Sequence, residues 1–227
     1  MNKIILALDT TNLEEAISIT NQIKDKIYTV KLGLEFFNSN SKLGIKKFND
    51  IGINNLMLDL KLHDIPATIN RSILALKGIK FGYLTVMALG GNEMIKQAKK
   101  AAGEIDSNIK VLAVTILTSI SQSELSKMGT NSSIKDMVIQ LAKNSSDADG
   151  YVASSLETKA LREKVSKDKL IFCPGIRMPD DPKDDQVRTS TPALAFKNGA
   201  DAIIMGRSLM KGNIEENLNR VSASLKN

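Results

Sequence analysis

The chain has 227 residues, 42% of them apolar and 25% charged, with a formal net charge of +6, a pI near 9.3, one cysteine, one histidine and no tryptophan. That is the make-up of a globular protein, and no apolar run approaches the ~18 residues needed to span a bilayer. With Cys173 and His63 each alone, an intramolecular disulfide and a two-histidine metal site are excluded, as is a hydrolytic triad using any histidine but His63.

The N-terminal MNKIILALD meets Asp9 too early for a signal-peptide core and has no small-residue cleavage site, so a cytoplasmic location is expected. Residues 4–9 alternate: Ile4, Leu6 and Leu8 share one face of a strand, while Ile5, Ala7 and Asp9 share the other. Thr11 or Asn12 ahead of Glu14 and Glu15 marks a helix start, and Leu13, Ala16, Ile17, Thr20 and Ile23 recur at helical spacing. A second strand, 28–32, sets Val30 and Leu32 against Lys31. The third, 56–62, lies in LMLDLKLHD, where four leucines face one way and Asp59 and Lys61 the other, with His63 and Asp64 following.

Further strands are predicted over 83–88, 111–117, 150–153, 170–173 and 202–205. Between them run helical patterns such as Ile134, Met137, Val138, Leu141 and Ala142, and Thr191-Pro192 marks the start of another helix. Eight strands alternating with helices, and no break in composition, predict a single (β/α)8 TIM barrel over residues 1–227. A dinucleotide fold is disfavoured, because ALDTTN stands where a GxGxxG would follow the first strand. Lysines such as Lys96, Lys99 and Lys100 are scattered over helical stretches without interleaved aromatics, so they read as a solvated surface and no nucleic-acid partner is expected. Cys173, between Phe172 and Pro174, reads as a small buried apolar residue.

In such a barrel the leucine faces of the first three strands meet the helices, and Asp9, Lys31, Asp59 and Lys61 point inward near the C-terminal rim where barrel enzymes assemble their sites. An aspartate between two lysines stays ionised, and a lysine between two carboxylates stays protonated. The array could donate a proton to a carbanion through Lys61; the other reading is a salt-bridge network that plugs the barrel mouth. After the seventh and eighth strands, Pro174-Gly175-Ile176-Arg177 and Gly206-Arg207-Ser208 supply glycines and arginines at the barrel's phosphate-binding corner. The polar segment 178–191, with Gln186 and Arg188 in its second half, reads either as a mobile lid or as a surface excursion. Asp64, ahead of Pro66, reads locally as a helix N-cap, and His63 as a structural neighbour of the array.

ALD at 7–9, VKLG at 30–33, DLKLHDIPAT at 59–68, VTILTS at 114–119, PGIR at 174–177, DQVRTSTP at 185–192 and DAIIMGRS at 201–208 resemble the orotidine 5′-phosphate decarboxylases of the bacterial type, in the family's order from first strand to last helix. The resemblance implies decarboxylation of orotidine 5′-monophosphate to UMP, with no metal or organic cofactor. It implies a charge network of Lys31, Asp59, Lys61 and Asp64, with Lys61 the proton donor to C6 and Asp64 reaching the site across a homodimer interface. Ile65 and Thr68 would likewise come from the partner subunit. Asp9 would hold a ribose hydroxyl and Thr118 the pyrimidine, while Gln186, Gly206 and Arg207, with Arg177 and Pro174 close by, would line the phosphate site. The nearest alternative is a metal-dependent sugar-phosphate decarboxylase or synthase of the same barrel group; a binding protein that has lost catalysis is a more distant one.

Overall fold

Residues 3–181 and 188–225 are described in the computed structural model of the chain. Eight parallel strands, β1 (Lys3–Leu8), β2 (Thr29–Gly33), β3 (Met57–Leu62), β4 (Tyr83–Met87), β5 (Lys110–Val114), β6 (Gly150–Val152), β7 (Leu170–Cys173) and β8 (Ala202–Met205), close into a barrel as β8 pairs with β1. Helices follow the strands around the outside, as the (β/α)8 expectation requires. No described helix is long and apolar enough to cross a membrane. Asn12 caps the first helix through its side chain and Thr191 caps Pro192–Lys197, at both predicted starts.

Strand parity divides the core in two. Ile4, Leu6, Leu8, Val30, Leu32, Leu58, Leu60, Leu84 and Val86 pack outward against the helices. Ile5, Ala7, Met57, Tyr83, Leu112, Val114, Val152, Phe172, Ala202 and Ile204 fill the barrel interior. Tyr83 packs tilted against Phe172, ring centroids 5.0 Å apart, and its hydroxyl meets that of Tyr28 at 2.6 Å, on the side of the strand starts. The open end lies where the strands finish.

Cys173 is fully buried beside Thr158, and burial pushes its thiol up to about 12, so it packs as the small apolar residue its neighbours suggested. The predicted fifth strand, 111–117, stops at Val114. Beyond it the backbone turns to meet β6, with the Thr115 amide donating to the Val152 carbonyl at 3.1 Å, and Ile116 and Leu117 belong to the loop.

Candidate active site

The stagger between strands gathers the inward charges. Ala7 lies beside Lys31 and Gly33 beside Asp59, so Lys31 stands between Asp9 at the end of β1 and Asp59 on β3. Its ammonium lies 3.4 Å from Asp9 Oδ1 and 3.3 Å from Asp59 Oδ2, and Lys61 Nζ lies 2.8 Å from the same Asp59 oxygen. A side chain at Gly33 would begin 3.2 Å from the Lys31 ammonium, which would have to shift by a few tenths of an ångström to make room.

Burial alone would push the Asp59 carboxyl up, but the ammonium groups of Lys31 and Lys61, helped by hydrogen bonds from Lys61 and Thr85, hold it below its ordinary value. Burial alone would lower Lys31; the charges of Asp59 and Asp9 outweigh it and raise Lys31 above the usual lysine value. The carboxylate is thus fixed as an anion and the ammonium as a cation.

At Lys61 the strand is irregular. Register between β3 and β4 breaks between Leu58 and Leu62, and Lys61 takes a left-handed φ of 46°. A non-glycine residue held there costs of order 1–3 kcal/mol. Thr85 of β4, fully buried, accepts the Lys61 amide at 2.9 Å and donates to Asp59 Oδ1 at 2.9 Å. No motif marks Thr85; its one signal in the sequence is a polar residue at the inward position between Tyr83 and Met87.

The array forms one wall of a cavity of about 250 Å³. Of the predicted residues, Asp9, Lys31, Asp59, Lys61, Thr118, Pro174, Arg177, Gly206 and Arg207 line it. Ala7, Val114, Val152 and Ile204 supply apolar lining that strand parity alone would have selected. Gly206 fits against β1, where an added Cβ would lie 3.3 Å from that of Ala7, so the Gly-Arg turn and the charge array share one opening.

Asp64, Ile65 and Thr68 are not among the described residues that line the cavity. Asp64 is not a helix N-cap either: Ile65 holds that position ahead of Pro66, and Asp64 Oδ1 accepts from the Ile65 amide at 2.7 Å. The capping reading fails because Asp64 sits one residue too early. His63 is exposed and outside the lining. Gln186 lies outside the described residues.

The described ends of the 178–191 segment are docked, so neither an unpacked mobile lid nor a surface excursion describes the whole stretch. Arg188 is buried, pairing with Glu157 at 2.8 Å and donating to the carbonyls of Ile116 and Leu117 at 3.0 Å each. Its amide meets the Thr118 carbonyl at 3.3 Å, and Ser190 accepts from the Arg177 amide at 2.8 Å. The return limb therefore ties the Thr118 loop to the Arg177 loop. Burial pushes the Glu157 carboxyl up and Arg188 opposes it. Neither partner carried a sequence signal, since a glutamate on a helix and an arginine in a polar loop both read as solvated.

Fold and cavity define a TIM-barrel protein with a preassembled charge array facing an arginine-bearing turn at the rim. The family model for orotidine 5′-phosphate decarboxylase / HUMPS matches residues 2–219. The orotidine 5′-phosphate decarboxylase of Wolbachia pipientis subsp. Culex pipiens (strain wPip) is 42% identical over 211 residues, 92% of either chain. That of Fusobacterium nucleatum subsp. nucleatum is 39% identical over 210 residues, 91% of this chain and 88% of the relative. The crystal structure of the Lactobacillus acidophilus orotidine 5′-phosphate decarboxylase superposes with a TM-score of 0.84 at 34% identity, covering 100% of both chains. The chain belongs to the orotidine 5′-phosphate decarboxylase / HUMPS family.

Proposed function

We propose that this protein decarboxylates orotidine 5′-monophosphate to UMP, with Lys31, Asp59 and Lys61 as its charged machinery. The observation that carries this reading is the alternation of ammonium and carboxylate along one wall of a cavity that also holds the Gly206-Arg207 turn. The phosphate sits at Gly206 and Arg207 with Arg177 and Gln186, the ribose at Asp9 and Lys31, and the pyrimidine against Thr118 with C6 toward Lys61. Cleavage of the bond from C6 to the carboxylate releases CO2 and leaves the electron pair on C6. Lys61 Nζ then gives its proton to that carbon and recovers one from water, for which its partly exposed side chain is placed.

Losing CO2 from C6 offers no conventional electron sink, so stabilisation must approach the upper part of the roughly 8–23 kcal/mol that enzymes supply. A fixed ammonium in a sheltered cavity is suited to a developing carbanion, because it need not reorganise as charge appears. Asp59 beside the substrate carboxylate adds repulsion that is relieved as CO2 departs.

We further infer a homodimer in which Asp64, Ile65 and Thr68 serve the partner's cavity. Ile65 is 65% exposed, and Leu34 and Leu89, also exposed, lie in the segments that follow β2 and β4 on the same rim. Exposed apolar residues grouped at one rim fit a covered face. A nucleoside monophosphate substrate and a lone buried cysteine fit a cytoplasmic enzyme.

The rival within the barrel group requires a divalent cation. Asp59 commits Oδ2 to two ammonium groups and Oδ1 to Thr85, and the Lys31 ammonium bridges Asp59 to Asp9, so a cation there would have to displace them. The deciding experiment is loss of orotidylate absorbance on adding the purified protein with EDTA. Turnover unaffected by chelator is expected; no turnover, or turnover restored only by Mg2+, would overturn the reading.

A further inference from the structure

We infer that Thr85 is a positioning residue for the decarboxylation proposed above: its single hydroxyl holds Lys61 and Asp59 in the relative placement that the reaction uses. The inference rests on that reading of the cavity, and it concerns a side chain that does not itself line it.

The direction of both hydrogen bonds is forced. A backbone amide only donates, so at Lys61 N the threonine oxygen accepts; an ionised carboxylate only accepts, so toward Asp59 Oδ1 the hydroxyl donates. One oxygen therefore ties the backbone of residue 61 to the side chain of residue 59. This happens where the β3–β4 ladder is interrupted, and without the hydroxyl the part-buried Lys61 amide would lack the partner that a regular strand provides. A bulge of this kind re-aims a side chain, and here the re-aimed side chain is the ammonium that lies 2.8 Å from Asp59. The left-handed backbone at Lys61 persists only while its surroundings over-determine it. Thr85, fully buried and bonded on both sides, is the described group that does so.

Valine has nearly the shape of threonine and no hydroxyl, so Thr85→Val removes both bonds with little change in packing; Thr85→Ser keeps the hydroxyl. For Thr85→Val, kcat for orotidine 5′-monophosphate should fall on the order of 100-fold, the cost of small misplacement of a reacting group. KM should change little, because the phosphate corner at the end of β8 is untouched. The acid limb of kcat should also move to higher pH. Asp59 is faced by Lys31 from β2, Lys61 from β3 and Thr85 from β4, with Asp9, just after β1, beyond Lys31, and losing a donor to the ionised carboxylate makes it easier to protonate. A residue that served only the fold would lower the melting temperature and leave kcat per folded molecule, and its acid limb, where they were.

Thr85→Ser is expected to restore both readouts to near wild type. Wild-type kcat and acid limb in Thr85→Val would overturn the inference, as would a Thr85→Ser variant as slow as the valine. If Thr85→Val does not fold, Thr85→Ala carries the same expectations. A wild-type protein inactive on orotidine 5′-monophosphate would count against the proposed function and not against the placement. In that event crystal structures decide: Lys61 leaving its left-handed conformation in the Thr85→Val variant supports the inference, and an unmoved Lys61 and Asp59 overturn it.

Discussion

Replacing Lys61 by alanine is expected to lower kcat for orotidine 5′-monophosphate by about four orders of magnitude or more, the combined loss of a positioned proton donor and of a preorganised charge. On the proposed mechanism both functions reside in one ammonium. Proton donation by a placed side chain contributes about 10²–10⁴-fold, and removal of one group aimed at developing charge costs about 10²–10³-fold. The variant should still fold, since Asp59 keeps Lys31 at 3.3 Å and the Thr85 hydroxyl at 2.9 Å. It should also still bind UMP, because the Gly206-Arg207 turn is held by β8 and does not depend on Lys61. Steady-state rates together with UMP affinity by calorimetry test this: a tenfold loss or less would mean that some other group meets the carbanion.

Orotidine, which lacks the phosphate, should be decarboxylated with a kcat/KM about 10³–10⁶-fold below that of the nucleotide. The estimate takes three charge-assisted hydrogen bonds at about 1.5–3 kcal/mol each. The phosphate is remote from C6, so energy gained there accelerates the reaction only if it holds the pyrimidine against the charge array. The structure offers a route for this, because the limb leading back from the undescribed residues 182–187 is fixed through Arg188 to the Thr118 loop and through Ser190 to the Arg177 loop. The two corners of the cavity are thereby joined by one hydrogen-bonded limb. Arg207→Ala should reduce kcat/KM for the nucleotide and leave that for orotidine unchanged; an equal loss on both would place the phosphate elsewhere.

Strand parity made the fold and the core of the site legible. In a closed barrel one face of every strand meets the surrounding helices, so the leucine face of LMLDLKLHD turns outward and the charged face inward, and the same parity places Asp9 and Lys31. What parity could not reveal were partnerships set by neighbours distant in sequence. Thr85 matters through an interruption of the β3–β4 ladder, and a break in pairing leaves no mark on periodicity. Glu157 and Arg188 are buried only because two loops and a helix close over them, which changes two residues that look solvent-facing into an ion pair inside the protein. The end of β5 was overextended for a related reason: Ile116 and Leu117 continue an apolar run, but their carbonyls go to Arg188 and not to a neighbouring strand. Asp64 differs again, since its position one residue before the cap leaves it exposed at the rim, and the role proposed for it needs a second subunit.

The most direct measurement of the central claim is hydrogen exchange at C6 of UMP in D2O, followed by proton NMR. The carbanion formed by loss of CO2 is the one formed by removing the C6 proton, so a site built to stabilise the first must catalyse formation of the second. The wild-type protein is predicted to replace the C6 proton with deuterium, and Lys61→Ala to leave it in place. A wild-type rate no faster than buffer, or equal exchange by both proteins, would contradict an ammonium at Lys61 acting on electrons at C6.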